Sequence, residues 1–356
     1  MHAWAVVENG APLQRIERPT PEPTGTEVLI EVTHCGVCHS DLHFWDGFYE
    51  LGGGKRMLLC DRGVTLPRAI GHEILGRVAQ LGPDADGVQV GDRRIVYPWI
   101  GCGTCRRCRA GEDNLCANMR SLGVMQDGGF GSHVLVPHPR YLVDPGDVDP
   151  AVAATFGCSG ITVLSAIRKV MPLEPSDPLV LVGAGGLGLA AIGMLRALGH
   201  EAIISVDLSA EKRQAALDAG ATAVVDGGRP GVAAAIMEAA GGPVLAAIDF
   251  VNGTDTARFV LDALAKGGRM VQVGIFGGEV TLPLIGFIFR AHAIMGSLTG
   301  TIQDLHEVAR LARSGRLAPL PVTTAPKDDA NAALMRLRDG KVTGRLVLTT
   351  DDASPL

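Results

Sequence analysis

The run Val182-Gly183-Ala184-Gly185-Gly186-Leu187-Gly188 limits the fold of this chain more than any other segment. It follows the β-type residues Leu179-Val180-Leu181-Val182 and opens a helical stretch reaching Leu198. A glycine triplet in that setting predicts a dinucleotide-binding βαβ unit. Gly183 permits the tight turn, Gly185 lets backbone approach a pyrophosphate, and Gly188 allows close helix packing. The N–H groups at the helix start, Gly186 and Leu187 among them, supply the anion site. Asp207 ends the next expected strand, 19 residues after Gly188. There it is placed to accept hydrogen bonds from adenosine ribose hydroxyls and to repel a 2′-phosphate, which favours NAD over NADP.

The rest of the chain divides around that unit. Its 356 residues exceed one usual domain. The first half offers short β-type runs, Glu27–Val32, Gly76–Ala79, Arg94–Tyr97 and His133–Val136, broken by Gly, Pro and Asp, which reads as all-β or barrel-like. Beyond Asp149-Pro150, strand signals at 179–182, 202–206, 223–225, 245–248 and 270–273 alternate with helices, the pattern of a parallel sheet. A helix is expected near 305–314. The closing strand 344–348 has no sheet nearby and is expected to return to the first domain. The glycine-dense run Leu51–Arg56 reads as a flexible loop.

Composition removes several classes of function. Hydrophobic residues at 47% and charged residues at 20% exclude a disordered chain. A net charge of -6 without a basic tract argues against nucleic acid as a partner. Residues 179–195 carry no charge, but 17 residues with five glycines make core rather than a membrane span. The N-terminus has neither the basic start nor the apolar run of a signal peptide, so the expected location is the cytoplasm, without a membrane.

Eight cysteines in such a chain read better as metal thiolates than as disulfides. Cys102, Cys105, Cys108 and Cys116 form C-x2-C-x2-C-x7-C, and four thiolates can close tetrahedrally on one zinc, leaving no position for substrate. That role is structural. An iron–sulfur cluster also takes four thiolates, but no Cys-Pro follows the last one. Elsewhere Cys38-His39-Ser40-Asp41-Leu42-His43, Gly71-His72-Glu73 and Cys158 are separately weak signals, since a lone Cys or His usually packs as core. Two cysteines and one histidine together would leave a metal position open.

These motifs resemble the zinc-dependent medium-chain alcohol dehydrogenases, and the resemblance covers nearly the whole chain. It implies an α/β fold, a GroES-like β-barrel catalytic domain plus a Rossmann doubly wound parallel sheet. The expected division is 1–156 (structural zinc lobe about 98–118), 157–299 for NAD, and 300–356 returning to the catalytic domain. By resemblance, Cys38, His72 and Cys158 hold catalytic zinc and the four clustered cysteines hold a second, structural zinc in each subunit. Glu73 adjoins the catalytic metal and Asp41 orients His72. Ser40 and His43 form a proton relay through the cofactor ribose. His39, Thr162, Lys212 and Arg345 match cofactor-contact positions, alongside Gly183, Gly185, Gly186, Leu187, Gly188 and Asp207. Trp45, Phe48, Tyr49 and Trp99 match substrate-pocket positions. The implied activity is reversible oxidation of a primary or secondary alcohol to an aldehyde or ketone by hydride transfer to NAD. Cys158, where polyol-acting branches carry Glu, favours simple alcohols. The segment Leu51–Arg62 departs from the family as an extra loop, and the short span from Cys116 to Cys158 matches its tetrameric forms, implying a homotetramer.

Overall fold

The computed structural model describes residues 1–318 and 320–350. The strand Val28–Val37 is the axis of the first domain. It pairs antiparallel with Glu73–Leu81, His133–Val136 and the C-terminal strand Arg345–Thr349. The sheet continues outward through Arg93–Val96 and Leu142–Val143 on one side and Val322–Pro326 on the other. Stretches of chain about 300 residues apart therefore meet as neighbours, with Leu346 opposite Val37 and Leu348 opposite Cys35. This register leaves Arg345 beside the turn at Cys38.

Leu51–Arg56 does not form the loop its glycines suggest. Phe48–Gly52 and Lys55–Leu58 pair as an antiparallel hairpin. Gly53 and Gly54 make its turn with φ of 56° and 73°, the left-handed backbone that matches strand twist in a two-residue hairpin. A short 3-10 turn, Cys60–Arg62, follows.

The second sheet has six parallel strands in the order Ala223–Asp226, Ile203–Asp207, Leu179–Val182, Val244–Asp249, Leu264–Gln272 and Ala293–Gly296. The order reverses direction at Leu179–Val182, and a crevice at such a switch point is where open α/β sheets take ligands. Side chains alternate along that strand. Leu179 and Leu181 join a core shared with the first domain, whereas Val180 and Val182 face a separate apolar layer with Val260 and Ile236. The helix Ser159–Val170 lies in the shared core and carries Ile161, Leu164 and Ile167 into it. The helix Ile302–Arg313 is fixed at its start by a reciprocal Thr301–Asp304 cap. Among the described residues no single helix is long and apolar enough to cross a membrane.

Candidate active site and metal centres

Cys38 is the last residue before the helix His39–Asp46, where the central strand stops. Asp41, one turn in, accepts from the Cys38 N–H at 2.9 Å through one oxygen. Its other oxygen accepts from the Gly71 N–H and from His72 Nδ1, both at 3.1 Å. One fully buried carboxylate thus fixes the turn bearing Cys38 and the ring of His72 together. A donating Nδ1 leaves Nε2 with its lone pair free, and Nε2 is buried with no hydrogen-bond partner. Cys158, at the start of the helix Ser159–Val170, brings the third atom: the two Sγ atoms and the imidazole nitrogen all lie within 4.8 Å of one another.

The donor set fits a zinc ion. Hydrogen bonding from Cys158 holds the Cys38 thiol well below the ordinary range, while the same contact and burial push Cys158 up. A cation held by the two sulfurs would stabilise both as thiolates and would give the orphaned His72 nitrogen its partner.

Glu73, next to His72, is fully buried. Its carboxylate forms an ion pair with Arg345 and accepts from the Ser159 N–H at 3.2 Å. Glu73 sits opposite Gly36 in the register, and a Cβ at Gly36 would come within 2.8 Å of the Glu73 Cβ, so only glycine leaves it room. Arg345 in turn reaches the glycine-rich loop, where a Cβ at Gly186 would run into its side chain. The metal ligands and the nucleotide loop are therefore joined through one buried ion pair. His39 lies within the electrostatic reach of Arg345 and Lys212, which gathers three basic residues at this junction.

The nucleotide site has the features its motif requires. The helix Gly186–Ala197 begins without any side-chain cap, leaving its first N–H groups for a ligand. The Cβ position of Gly185 faces open space. Asp207 ends its strand and accepts from the Ala184 N–H at 2.7 Å and from the Ser209 N–H at 2.9 Å, which anchors the carboxylate beside the glycine loop. The buried Thr162 hydroxyl, one turn after Cys158, has no partner. These residues fit a dinucleotide.

Around the three ligands, His43 stacks on Tyr49 with centroids 4.8 Å apart. Burial, reinforced by the negative charges of Cys38 and Asp41, pushes the Tyr49 hydroxyl above its ordinary range, and its ring packs against His43 and Phe44 beside the site. The Trp99 ring lies 5.4 Å from the His72 ring, and its indole N–H donates to the Gly157 carbonyl. Phe48 sits on the hairpin under the Arg56 guanidinium. Ser40 and His43, three residues apart in one helix, share a face.

Trp45 departs from its expected place. It is buried, its N–H bonds to the Ala11 carbonyl, and Arg338 covers its ring at 4.2 Å, so it belongs to packing under the C-terminal segment rather than to the pocket. The helix period explains this, because Trp45 falls off the face that carries Ser40 and His43. Phe44, absent from the sequence expectations, lies on that face instead, edge-on to both His72 and Tyr49. The signal was its spacing of four from Ser40.

The four-cysteine lobe is built differently. Sγ–Sγ distances are 3.5 Å for Cys105–Cys108 and 3.9 Å for Cys102–Cys108 and Cys105–Cys116. Four sulfurs at the usual zinc–sulfur distance stand about 3.8 Å apart, so this cluster fits zinc. Backbone N–H groups of Cys102 and Cys108 point at the sulfurs of Cys116 and Cys105. Thr104, through its backbone N–H and hydroxyl, holds the Cys102 thiol down at about 6.

The chain matches the alcohol dehydrogenase GroES-like domain over residues 24–145 and the zinc-binding dehydrogenase domain over residues 186–314. It is 37% identical to an NAD-dependent alcohol dehydrogenase of Sulfurisphaera tokodaii, covering 98% of this chain and 99% of that one. It is 38% identical to an NAD-dependent alcohol dehydrogenase of Saccharolobus solfataricus, with 98% and 99% covered. The crystal structure of an alcohol dehydrogenase from Aeropyrum pernix superposes with a TM-score of 0.89 at 32% identity, covering 98% of this chain and all of that one.

Proposed function

Because the chain belongs to the zinc-dependent medium-chain alcohol dehydrogenase family, we propose that it oxidises a primary or secondary alcohol to the aldehyde or ketone, reversibly, with NAD as hydride acceptor. The observation that carries this reading is the buried Cys38–His72–Cys158 triad with its unpartnered His72 Nε2, tied through Glu73 and Arg345 to the nucleotide loop. When bound, zinc supplies the Lewis acidity that lowers the alcohol pKa, and NAD accepts the hydride.

The chain's own residues supply the rest. Asp41 fixes the His72 tautomer, so Nε2 remains a ligand. Ser40 takes the substrate's hydroxyl proton and His43 passes it to solvent, a route supported by their common helix face. Phe44, Tyr49 and Trp99 exclude water and position the alcohol. Gly183, Gly185, Gly186, Leu187 and Gly188 hold the pyrophosphate, Asp207 the adenosine ribose, and Thr162 the nicotinamide end, with Lys212 and Arg345 supplying positive charge and His39, which burial holds below its ordinary range, a neutral imidazole contact. Glu73, engaged by Arg345 and the Ser159 N–H, stands ready to approach the metal during water exchange. Cys102, Cys105, Cys108 and Cys116 hold the structural zinc.

The same reading assigns residues 1–156 and 300–356 to the catalytic domain and 157–299 to the cofactor domain, a division supported by the pairing of Arg345–Thr349 with Val28–Val37. It also makes the enzyme a cytoplasmic homotetramer. Self-association is supported by the helix Leu284–Arg290, none of whose residues is buried, with Leu284, Ile285, Ile288 and Phe289 all about 70% exposed or more. Beside it the edge strand Ala293–Gly296 pairs on one side only. The direct test is the initial rate of NADH formation across short, long, aromatic, cyclic and polyol alcohols, with NADP as cofactor control. Turnover concentrated on one class of simple alcohol with NAD supports the reading; no turnover with any alcohol from a chain holding two zincs contradicts it.

A further inference from the structure

Past the last strand of the parallel sheet, the segment Leu298-Thr299-Gly300 leaves the C-terminal edge, where α/β sheets of this order bind ligands. Thr299 is in the left-handed region with φ of 47°, a conformation costly for a β-branched residue. Its hydroxyl is buried and has no hydrogen-bond partner. Such a backbone persists only where its surroundings impose it.

The surroundings here come from the other domain. Asn114 lies in the short turn Asp113–Leu115, between the third and fourth cysteines of the zinc lobe. It is buried, and its Nδ2 donates to the Leu298 carbonyl at 2.8 Å, across 184 residues of sequence. The Tyr97 hydroxyl, which also meets the Asn114 backbone N–H, donates to the Gly300 carbonyl at 2.8 Å. The two carbonyls flanking Thr299 are thus both held by this one corner of the catalytic domain. Gly300 presses on the Ile161 carbonyl, where a Cβ would come within 2.6 Å. The residue after Ile161 is Thr162, whose hydroxyl is likewise buried and unpartnered. Tyr97 stacks on Tyr141, and Tyr141 bonds to Asp113, so the corner is braced from behind.

We propose that Asn114 is a positioning residue: from the zinc lobe it clamps Leu298 and holds Thr299 in its strained turn at the nicotinamide end of the cofactor cleft. The lobe then shapes cofactor affinity in addition to stabilising the fold. This rests on the reading of the cleft as an NAD site.

The test is Asn114→Ala, with zinc content, melting temperature, NADH dissociation constant by fluorescence, and kcat and KM measured in parallel. The expected result is two zincs per chain retained, with the NADH dissociation constant and the KM for NAD raised about fivefold, the scale of one lost hydrogen bond. Thr299→Gly in the Asn114→Ala background should recover most of that loss, because glycine adopts the left-handed turn without a clamp. An Asn114→Ala chain that melts earlier yet binds NADH as tightly as the parent overturns the proposal and leaves Asn114 a purely structural residue. Absence of NADH binding by the parent chain itself would instead strike the NAD reading. If the single variant does not fold, Asn114→Gln, which keeps the donor on a longer arm, is read on the same NADH scale: a raised dissociation constant supports the clamp, an unchanged one opposes it.

Discussion

The two metal centres use cysteine in opposite ways. At Cys38, His72 and Cys158 the ligand atoms are buried in the shared core, come from three distant stretches of chain, and include a nitrogen with an unused lone pair. At Cys102, Cys105, Cys108 and Cys116 they come from one short loop, lie partly at the surface, and saturate a tetrahedron with sulfur alone. Three ligands in a cleft leave a coordination position for chemistry, whereas four leave none. The supporting atoms differ as well. A carboxylate, Asp41, orients the first site, while backbone N–H groups satisfy the sulfurs of the second. Burial and an open position belong to the reacting site; local sequence and closure belong to the folding site.

The sharpest way to break this contrast is to remove one ligand from each. Cys38→Ser should lower turnover roughly 10³-fold or more, the scale of lost Lewis-acid stabilisation, with little change in melting temperature. Comparable turnover with only one zinc would erase the distinction. Cys105→Ala should do the reverse, costing roughly 3 kcal/mol of stability and about 4 °C in melting temperature, with the rate at 25 °C largely retained. An unchanged melting curve would show that the lobe folds without its metal.

The supporting atoms give smaller effects. Asp41→Asn should weaken zinc binding at the catalytic site about 10- to 100-fold, measured by competition with a chelator, while the four-sulfur site keeps its metal. Equal loss from both sites would mean that Asp41 acts through the fold. His43→Ala should lower the rate of alcohol oxidation about tenfold near neutral pH, at the weak end of acid–base effects because solvent can partly replace a distal relay. Its pH profile carries the sign. Burial, opposed by a hydrogen bond with the Phe48 backbone, holds the His43 imidazole below its ordinary 6.5. The parent therefore keeps a neutral acceptor until pH falls through that lowered value. The deficit of the variant should be largest near pH 7 and shrink toward pH 9, where hydroxide accepts the proton. A deficit constant across pH would remove His43 from proton transfer.

Much of this was legible in the sequence because the information was local. The glycine loop after Leu179–Val182 specified a strand, a turn and a helix within a few residues, and the spacing of Cys102 to Cys116 specified a closed site within one loop. The chain's tertiary joins were not local. Nothing near Glu73 announces Arg345, its buried partner on the last strand, nor that Gly36 is small to admit the carboxylate. Trp45 and Phe44 are adjacent in sequence, and only the docking of the helix on the site decides which ring meets His72. The Leu51–Arg56 glycines signal turn chemistry, but pairing of Phe48–Gly52 with Lys55–Leu58 depends on both arms meeting. Asn114 has no motif at all, because its partner is a backbone carbonyl far along the chain.

The most direct measurement of the central claim is zinc content determined on the same sample as NAD reduction for the Cys38→Ser chain, beside the parent. The account predicts two zincs and alcohol-dependent NADH formation for the parent, and for the variant a folded chain with about one zinc, held by the four-cysteine lobe, and no measurable turnover. A variant that keeps two zincs and the parent's rate would contradict it, because the metal ligands and the reacting site would then lie elsewhere.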